Sequence, residues 1–126
     1  MSHRFGRAAR LRSRVEFTAV QSGGRRAPGK FLTLLGRPNS LGRDRLGIIA
    51  SKRVGGAVAR NRAKRRVREL FRRDTSRPAG AADLDLVVIV RSELVDAPFD
   101  AIAADFRAAL KKLRGGRDRK TIEVPT

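Results

Sequence analysis

Three groups of residues in this chain have types and spacing suited to chemistry. His3 is the single histidine among 126 residues. It stands in an arginine-rich stretch, MSHRFGRAARLRSR, with no partner placed to orient it, so general acid–base work would fall to carboxylates or lysines. Asp83 and Asp85 form an i, i+2 pair that would share one face of a strand. Such a pair is more often a solvated or capping feature than a metal site, and neither a metal ligand nor a catalytic residue is assigned. The third group is VARNRAKRRVRELFRR, residues 58–73. Eight of the fourteen residues from Arg60 to Arg73 are Lys or Arg. A guanidinium is a planar fork that grips phosphate bidentately and stacks on bases, so the chemistry expected of this segment is polyanion binding.

The whole chain leans the same way. It carries 30 Lys+Arg against 12 Asp+Glu, a formal net charge of +18. Residues 1–73 hold 21 basic and 3 acidic side chains, and residues 74–126 hold 9 of each, so the entire excess lies in the first part. A field of this size attracts phosphates and repels itself without them. Cysteine is absent, which excludes disulfides and thiolate metal sites and suits a reducing compartment. The longest wholly apolar run, Leu86–Val90, is far short of a membrane span. No membrane partner is expected, and the cytoplasm is the default location.

What must hold the cations in place is a helix. At about 100° per residue, Ala63, Val67, Leu70 and Phe71 fall within roughly a third of the circle, a stripe wide enough to dock on a sheet. Arg62, Arg65, Arg66, Arg72 and Arg73 fall on the far side. Arg60, Lys64 and Arg68 make an i, i+4, i+8 row along one edge of the stripe. Exposed like charges at i, i+4 repel by roughly 0.2–0.5 kcal/mol per pair. Glu69 alone does not offset that, whereas bound phosphates would.

The other elements follow from periodicity and punctuation. Residues 1–10 read as a basic flexible arm, 11–116 as one α/β domain, which the charge suits to a polyanion, and 117–126 as a disordered tail. Ser13 with Glu16 resembles a capping box opening a helix whose buried side is Val15, Phe17 and Val20, and which stops at Gly23–Gly24. KFLTLL (30–35) and RLGIIA (45–50) are β-compatible runs around the turn cluster RPNSLGRD. SKRVGGA is a basic loop before the arginine helix, and DTSRPAGAAD (74–83) is a linker. LDLVVIVR (84–91) lacks alternation, as expected of a strand covered on both faces. Phe99, Ile102, Phe106, Leu110 and Leu113 line one face of a last helix between Pro98 and Gly115–Gly116. The predicted order is α-β-β-α-β-α. The predicted fold is α+β, a small central sheet packed by helices.

Residues 45–72, RLGIIASKRVGGAVARNRAKRRVRELFR, resemble the signature segment of the bacterial ribonuclease P protein subunit. That family shows a Gly-hydrophobic strand end, Ser-Lys-Lys/Arg, Val-Gly-Asn-Ala-Val, then Arg-Asn-Arg-x-x-Lys-Arg on a helix. Here the positions read Gly47, Ser51-Lys52-Arg53, Val54-Gly55-Gly56-Ala57-Val58 and Arg60-Asn61-Arg62-Ala63-Lys64-Arg65. FTAV (17–20), KFLTLL and DLVVIVR (85–91) resemble the family's flanking segments in the same order. Gly56 departs from the usual Asn, Gln21 and Leu34 stand where relatives are often aromatic, and the chain has no Tyr or Trp.

The resemblance implies an α/β sandwich with a β-α-β crossover through the basic helix, serving as the accessory protein subunit of an endoribonuclease that removes the 5′ leader of precursor tRNA. Catalysis and most of the Mg²⁺ would belong to an RNA subunit, with one protein and one RNA in the assembly. Carried over by position, Lys52, Arg53, Arg60, Asn61, Arg62, Lys64, Arg65 and Arg68 become contacts to that catalytic RNA. Phe17 and Phe31 become candidates for a cleft holding the single-stranded leader, where aromatic faces stack bases without sequence preference; both would serve equally well as core. A ribosomal or other structural RNA-binding protein shares the charge, size and mixed fold. Against it stands the ordered SKR–VGGAV–RNRxxKR stretch between two strands. A DNA-binding domain lacks support, since no second helix has helix-turn-helix spacing.

Overall fold

The computed structural model describes residues 10–11, 14–39, 41–74 and 83–114. Helix α1 is Arg14–Gly23, followed by strands β1 (Arg25–Pro28), β2 (Leu32–Pro38) and β3 (Arg45–Ile49), helix α2 (Ala57–Arg73), strand β4 (Leu84–Val90) and helix α3 (Phe99–Arg114). The strands form one sheet in the order β1-β2-β4-β3. β2 pairs antiparallel with both β1 and β4, while β3 runs parallel to β4. That parallel pair is joined through α2, which is the expected crossover through the basic helix.

β4 is the spine of the molecule, and its two faces explain its lack of alternation. Leu84, Leu86, Val88 and Val90 enter the main core with Leu32, Leu34, Leu46 and the buried faces of α2 and α3. Val87 and Ile89 point the other way, toward a smaller cluster of Leu11, Phe17, Val20, Leu35 and Ile49 beneath α1. Both sides of the strand are therefore withdrawn from water. α3 contributes Ile102, Phe106, Leu110 and Leu113 to the main core, the face its spacing predicts.

Three differences from the sequence-based expectation have clear causes. The predicted element order omits β1, because Arg25-Arg26-Ala27-Pro28 buries only Ala27 and carries no hydrophobic alternation. It is an edge strand defined by its pairing to β2, where a proline is tolerated. The strand predicted over 30–35 begins instead at Leu32 and continues to Pro38. The N–H groups of Lys30 and Phe31 donate to the Asp105 carboxylate of α3, at 3.0 and 2.9 Å, and leave the ladder. Arg10, assigned above to the flexible arm, bridges in parallel to Leu46, and the Leu11 amide donates to the Leu46 carbonyl at 3.0 Å. Residues 1–9, the Ser13 cap, residues 75–82 of the linker and the tail from 115 lie outside the described residues.

Candidate nucleic-acid interface

The basic loop is built by three local devices. Ser51 opens a 3₁₀ turn, Lys52–Val54, by accepting the Arg53 amide on its hydroxyl at 3.3 Å. Val54 turns inward to the core and leaves Lys52 and Arg53 exposed. Gly55 then adopts φ 141°, where an added Cβ would also meet the Ala59 Cβ at 2.8 Å, so only glycine turns the chain into α2 here. The helix starts at a Gly56 cap that makes no side-chain hydrogen bond. Glycine at this position gives the first amides of α2 no side-chain acceptor from the cap residue.

α2 docks by the predicted stripe, with Ala63, Val67, Leu70 and Phe71 all buried. The row Arg60, Lys64 and Arg68 is half-buried along one edge, while Asn61, Arg62 and Arg65 are exposed. Burial, then the nearby charges of Arg10 and Arg65, pull Arg68 below the usual arginine range. Arg10 thus joins this cationic surface from the segment beside β3. Sequence alone missed it, and Leu11, the apolar residue that follows it, was the available signal.

Not every arginine of the helix faces outward. Arg66, expected on the far side, is half-buried, and its terminal amines donate to the carbonyls of Val95 and Ala97 at 2.7 Å each. Arg72 and Arg73 both bond Glu69. Those bonds, Arg72 first, hold the Glu69 carboxyl below its usual range. Arg62 lies between the two classes, giving its Nε to the Val95 carbonyl at 2.9 Å and keeping its other donors.

On the α1 side of the sheet lies a groove of about 370 Å³. Thr33 and Ile89 form its floor, and Arg26, Arg53 and Arg91 stand around it with Ser51, Ser92 and Glu93. It adjoins the basic loop through Ser51 and Arg53. The two phenylalanine candidates are not brought together. Phe17, half-buried on α1, packs with the cluster under that helix, and the bare Cα of Gly47 makes room for its ring, since a Cβ there would sit 2.6 Å from it. Phe31 packs against the main core on the opposite face, with the Lys30 ammonium 5.6 Å from its ring centre. Leu34 is buried in that core and Gln21 is exposed on α1.

The Asp83–Asp85 pair divides. Asp85 receives a two-pronged bond from Arg45, Nε to Oδ1 and Nη2 to Oδ2 at 2.8 Å each, and Asn39 Nδ2 also donates to its Oδ1 at 2.8 Å. Arg45 reaches on to Glu16 of α1 at 2.9 Å. The cluster therefore ties α1 to the sheet. Among the described residues no group of three or more His, Cys, Asp or Glu is placed to hold a metal ion. No helix among them is long and apolar enough to cross a membrane.

Comparison with known proteins agrees with this architecture. The family model described as Ribonuclease P matches residues 5–114. The ribonuclease P protein component of Chloroflexus aurantiacus is 41% identical over 107 residues, covering 84% of this chain and 78% of that protein. Its counterpart in Ectopseudomonas mendocina is 38% identical over 126 residues, covering 98% and 92%. Among solved structures, the ribonuclease P protein of Thermotoga maritima superposes with a TM-score of 0.73 at 32% identity, covering 84% of this chain and 98% of that one. The Staphylococcus aureus protein gives 0.72 at 28%, covering 86% and 100%. On the match of sequence, length and fold together, the chain belongs to the ribonuclease P protein family, a subunit of the endoribonuclease that processes tRNA.

Proposed function

We propose that the chain binds the catalytic RNA of ribonuclease P through the surface formed by Lys52, Arg53, Arg60, Asn61, Arg62, Lys64, Arg65 and Arg68. The groove on the α1 side of the sheet then takes the single-stranded 5′ leader of precursor tRNA. The observation that carries this reading is the docking of α2: four buried apolar side chains fix the helix, so its cations project from set backbone positions and the helix itself needs no ordering on binding. In the groove, three arginines surround a floor of Thr33 and Ile89 without an aromatic side chain. Such a lining favours the sugar–phosphate backbone over individual bases.

Hydrolysis of the phosphodiester bond, and the Mg²⁺ that serves it, belong to the RNA in this proposal, with one protein per RNA. Asp85, the best-placed carboxylate of the Asp83–Asp85 pair, is already bonded through both oxygens to Arg45, which suits anchoring better than metal binding.

Reconstitution tests the proposal. The protein alone should leave precursor tRNA intact. Added to a bacterial ribonuclease P RNA at low Mg²⁺, it should raise affinity for leader-bearing precursor over mature tRNA. Equal enhancement for both substrates would rule out the leader groove.

A further inference from the structure

The edge of α2 opposite the Arg60–Lys64–Arg68 row meets the turn between β4 and α3. There Arg66 acts as a three-way clamp. One terminal amine reaches the Leu94 and Val95 carbonyls at 3.3 and 2.7 Å, and the other reaches the Ala97 carbonyl at 2.7 Å. Its guanidinium also lies 6.0 Å from the centre of the Phe99 ring. One turn earlier, Arg62 gives its Nε to the same Val95 oxygen at 2.9 Å. The Arg62 side chain nevertheless remains 54% exposed.

The two arginines thus share an acceptor and differ in what they have left. Arg66 has three of its five N–H donors, on both terminal amines, committed to carbonyls of the turn, so an end-on, two-amine grip on a phosphate would compete with those bonds. Arg62 is held at the root of its fork while its terminal amines remain for a ligand. Holding one end of a long side chain removes rotamers that would otherwise be lost on binding.

We infer that Arg66 is a positioning residue for RNA binding: by fixing the Leu94–Ala97 carbonyls it sets the acceptor that aims Arg62, and it makes no phosphate contact of its own. The inference rests on the RNA-binding surface proposed above and divides its arginines into those that touch RNA and one that acts through a neighbour. Lysine at position 66 would keep the positive charge but cannot span three carbonyls, because its donors radiate from a single nitrogen.

The test uses the full chain and a bacterial ribonuclease P RNA transcript, with dissociation constants measured across a salt series for R62A, R65A, R66K, R66L and R62A/R66K. Removing a true phosphate contact, as in R65A, should flatten the log–log salt dependence by about one unit. R66K should weaken binding about five- to tenfold with the slope unchanged. In the R62A background the same change should weaken it less than about twofold, because the residue through which it acts is gone. Wild-type affinity for R66K, or a slope loss of about one unit in folded R66L that adds to those of R62A and R65A, would overturn the inference and leave the RNA surface standing. Wild-type binding by both R62A and R65A would remove the RNA surface and the inference with it. If R66L fails to fold, R66K and the double variant still decide.

Discussion

Arg45 and Asp85 lie opposite one another on the parallel strands β3 and β4, and their side chains close a two-pronged ion pair on the α1 face of the sheet. The Arg45 side chain is 17% exposed and that of Asp85 is 12% exposed, with Glu16 of α1 as a third member. Through Glu16 the pair joins the parallel crossover to α1. Hydrogen bonding to Asp85 raises the Arg45 pKa despite its partial burial.

Removing one partner should therefore destabilise the domain. Burial by itself would raise the Asp85 pKa, but the bonds from Arg45 and Asn39 outweigh it and hold the carboxyl below its usual value. A carboxyl depressed in the folded state stabilises the fold above its unfolded pKa, about 3.9, and that contribution disappears as pH falls through the folded value. Asp85→Asn should cost about 1–3 kcal/mol at neutral pH. The gap to the unmutated chain should stay level down to about pH 5 and narrow below about pH 4. Urea unfolding across that range measures it, and a gap independent of pH would show that the carboxylate's charge contributes nothing.

A different failure is expected in the stripe under α2. Val67 is fully buried, and Val67→Asp would place an unpaired carboxylate in the main core, at a cost of several kcal/mol, about the whole stability of a small domain. Circular dichroism should show loss of fold without RNA, and a folded variant with weakened RNA binding alone would contradict the anchoring role of the stripe.

The elements that sequence revealed are those whose signal is local. Ala63, Val67, Leu70 and Phe71 repeat with the helical period, and the structure buries all four. β1 escaped because its existence depends on β2 rather than on its own residues. Helical angles placed Arg66 on the solvent side, but the turn at 94–97 meets it there, and a contact between residues some thirty positions apart leaves no trace in periodicity. Asp85 could be seen to share a strand with Asp83, yet its partner Arg45 comes from another strand. The two phenylalanines looked equivalent as stacking candidates, but they fall in separate clusters on opposite faces. The turning of the Phe31 N–H toward Asp105, while its carbonyl still accepts from Arg91, is a tertiary event.

The outward cations of α2 have a quantitative signature. Each phosphate neutralised releases condensed counterions, so affinity falls with salt in proportion to the number of contacts. Replacing Arg60, Arg62 and Arg65 together by Ala should flatten the log–log salt dependence of RNA binding by about two to three units. The same assay on Arg72→Ala should leave the slope almost unchanged, since Arg72 is paired with Glu69. An unaltered slope in the triple variant would remove this face of the helix from the interface.

The groove makes a separable prediction, because its arginines come from other elements. Arg26 lies on the edge strand β1 and Arg91 follows β4, and both line the groove on the α1 side of the sheet. Replacing both by Ala removes two cations without touching α2, so affinity for the catalytic RNA should stay within about twofold. Two lost phosphate contacts should weaken capture of leader-bearing precursor tRNA by about ten- to a hundredfold at moderate salt, with mature tRNA unaffected. The comparison is made on the assembled ribonucleoprotein, titrating the two substrates in parallel. Equal loss for precursor and mature tRNA would place these arginines against the body of the tRNA or the RNA subunit. No loss for either would take the leader out of this groove.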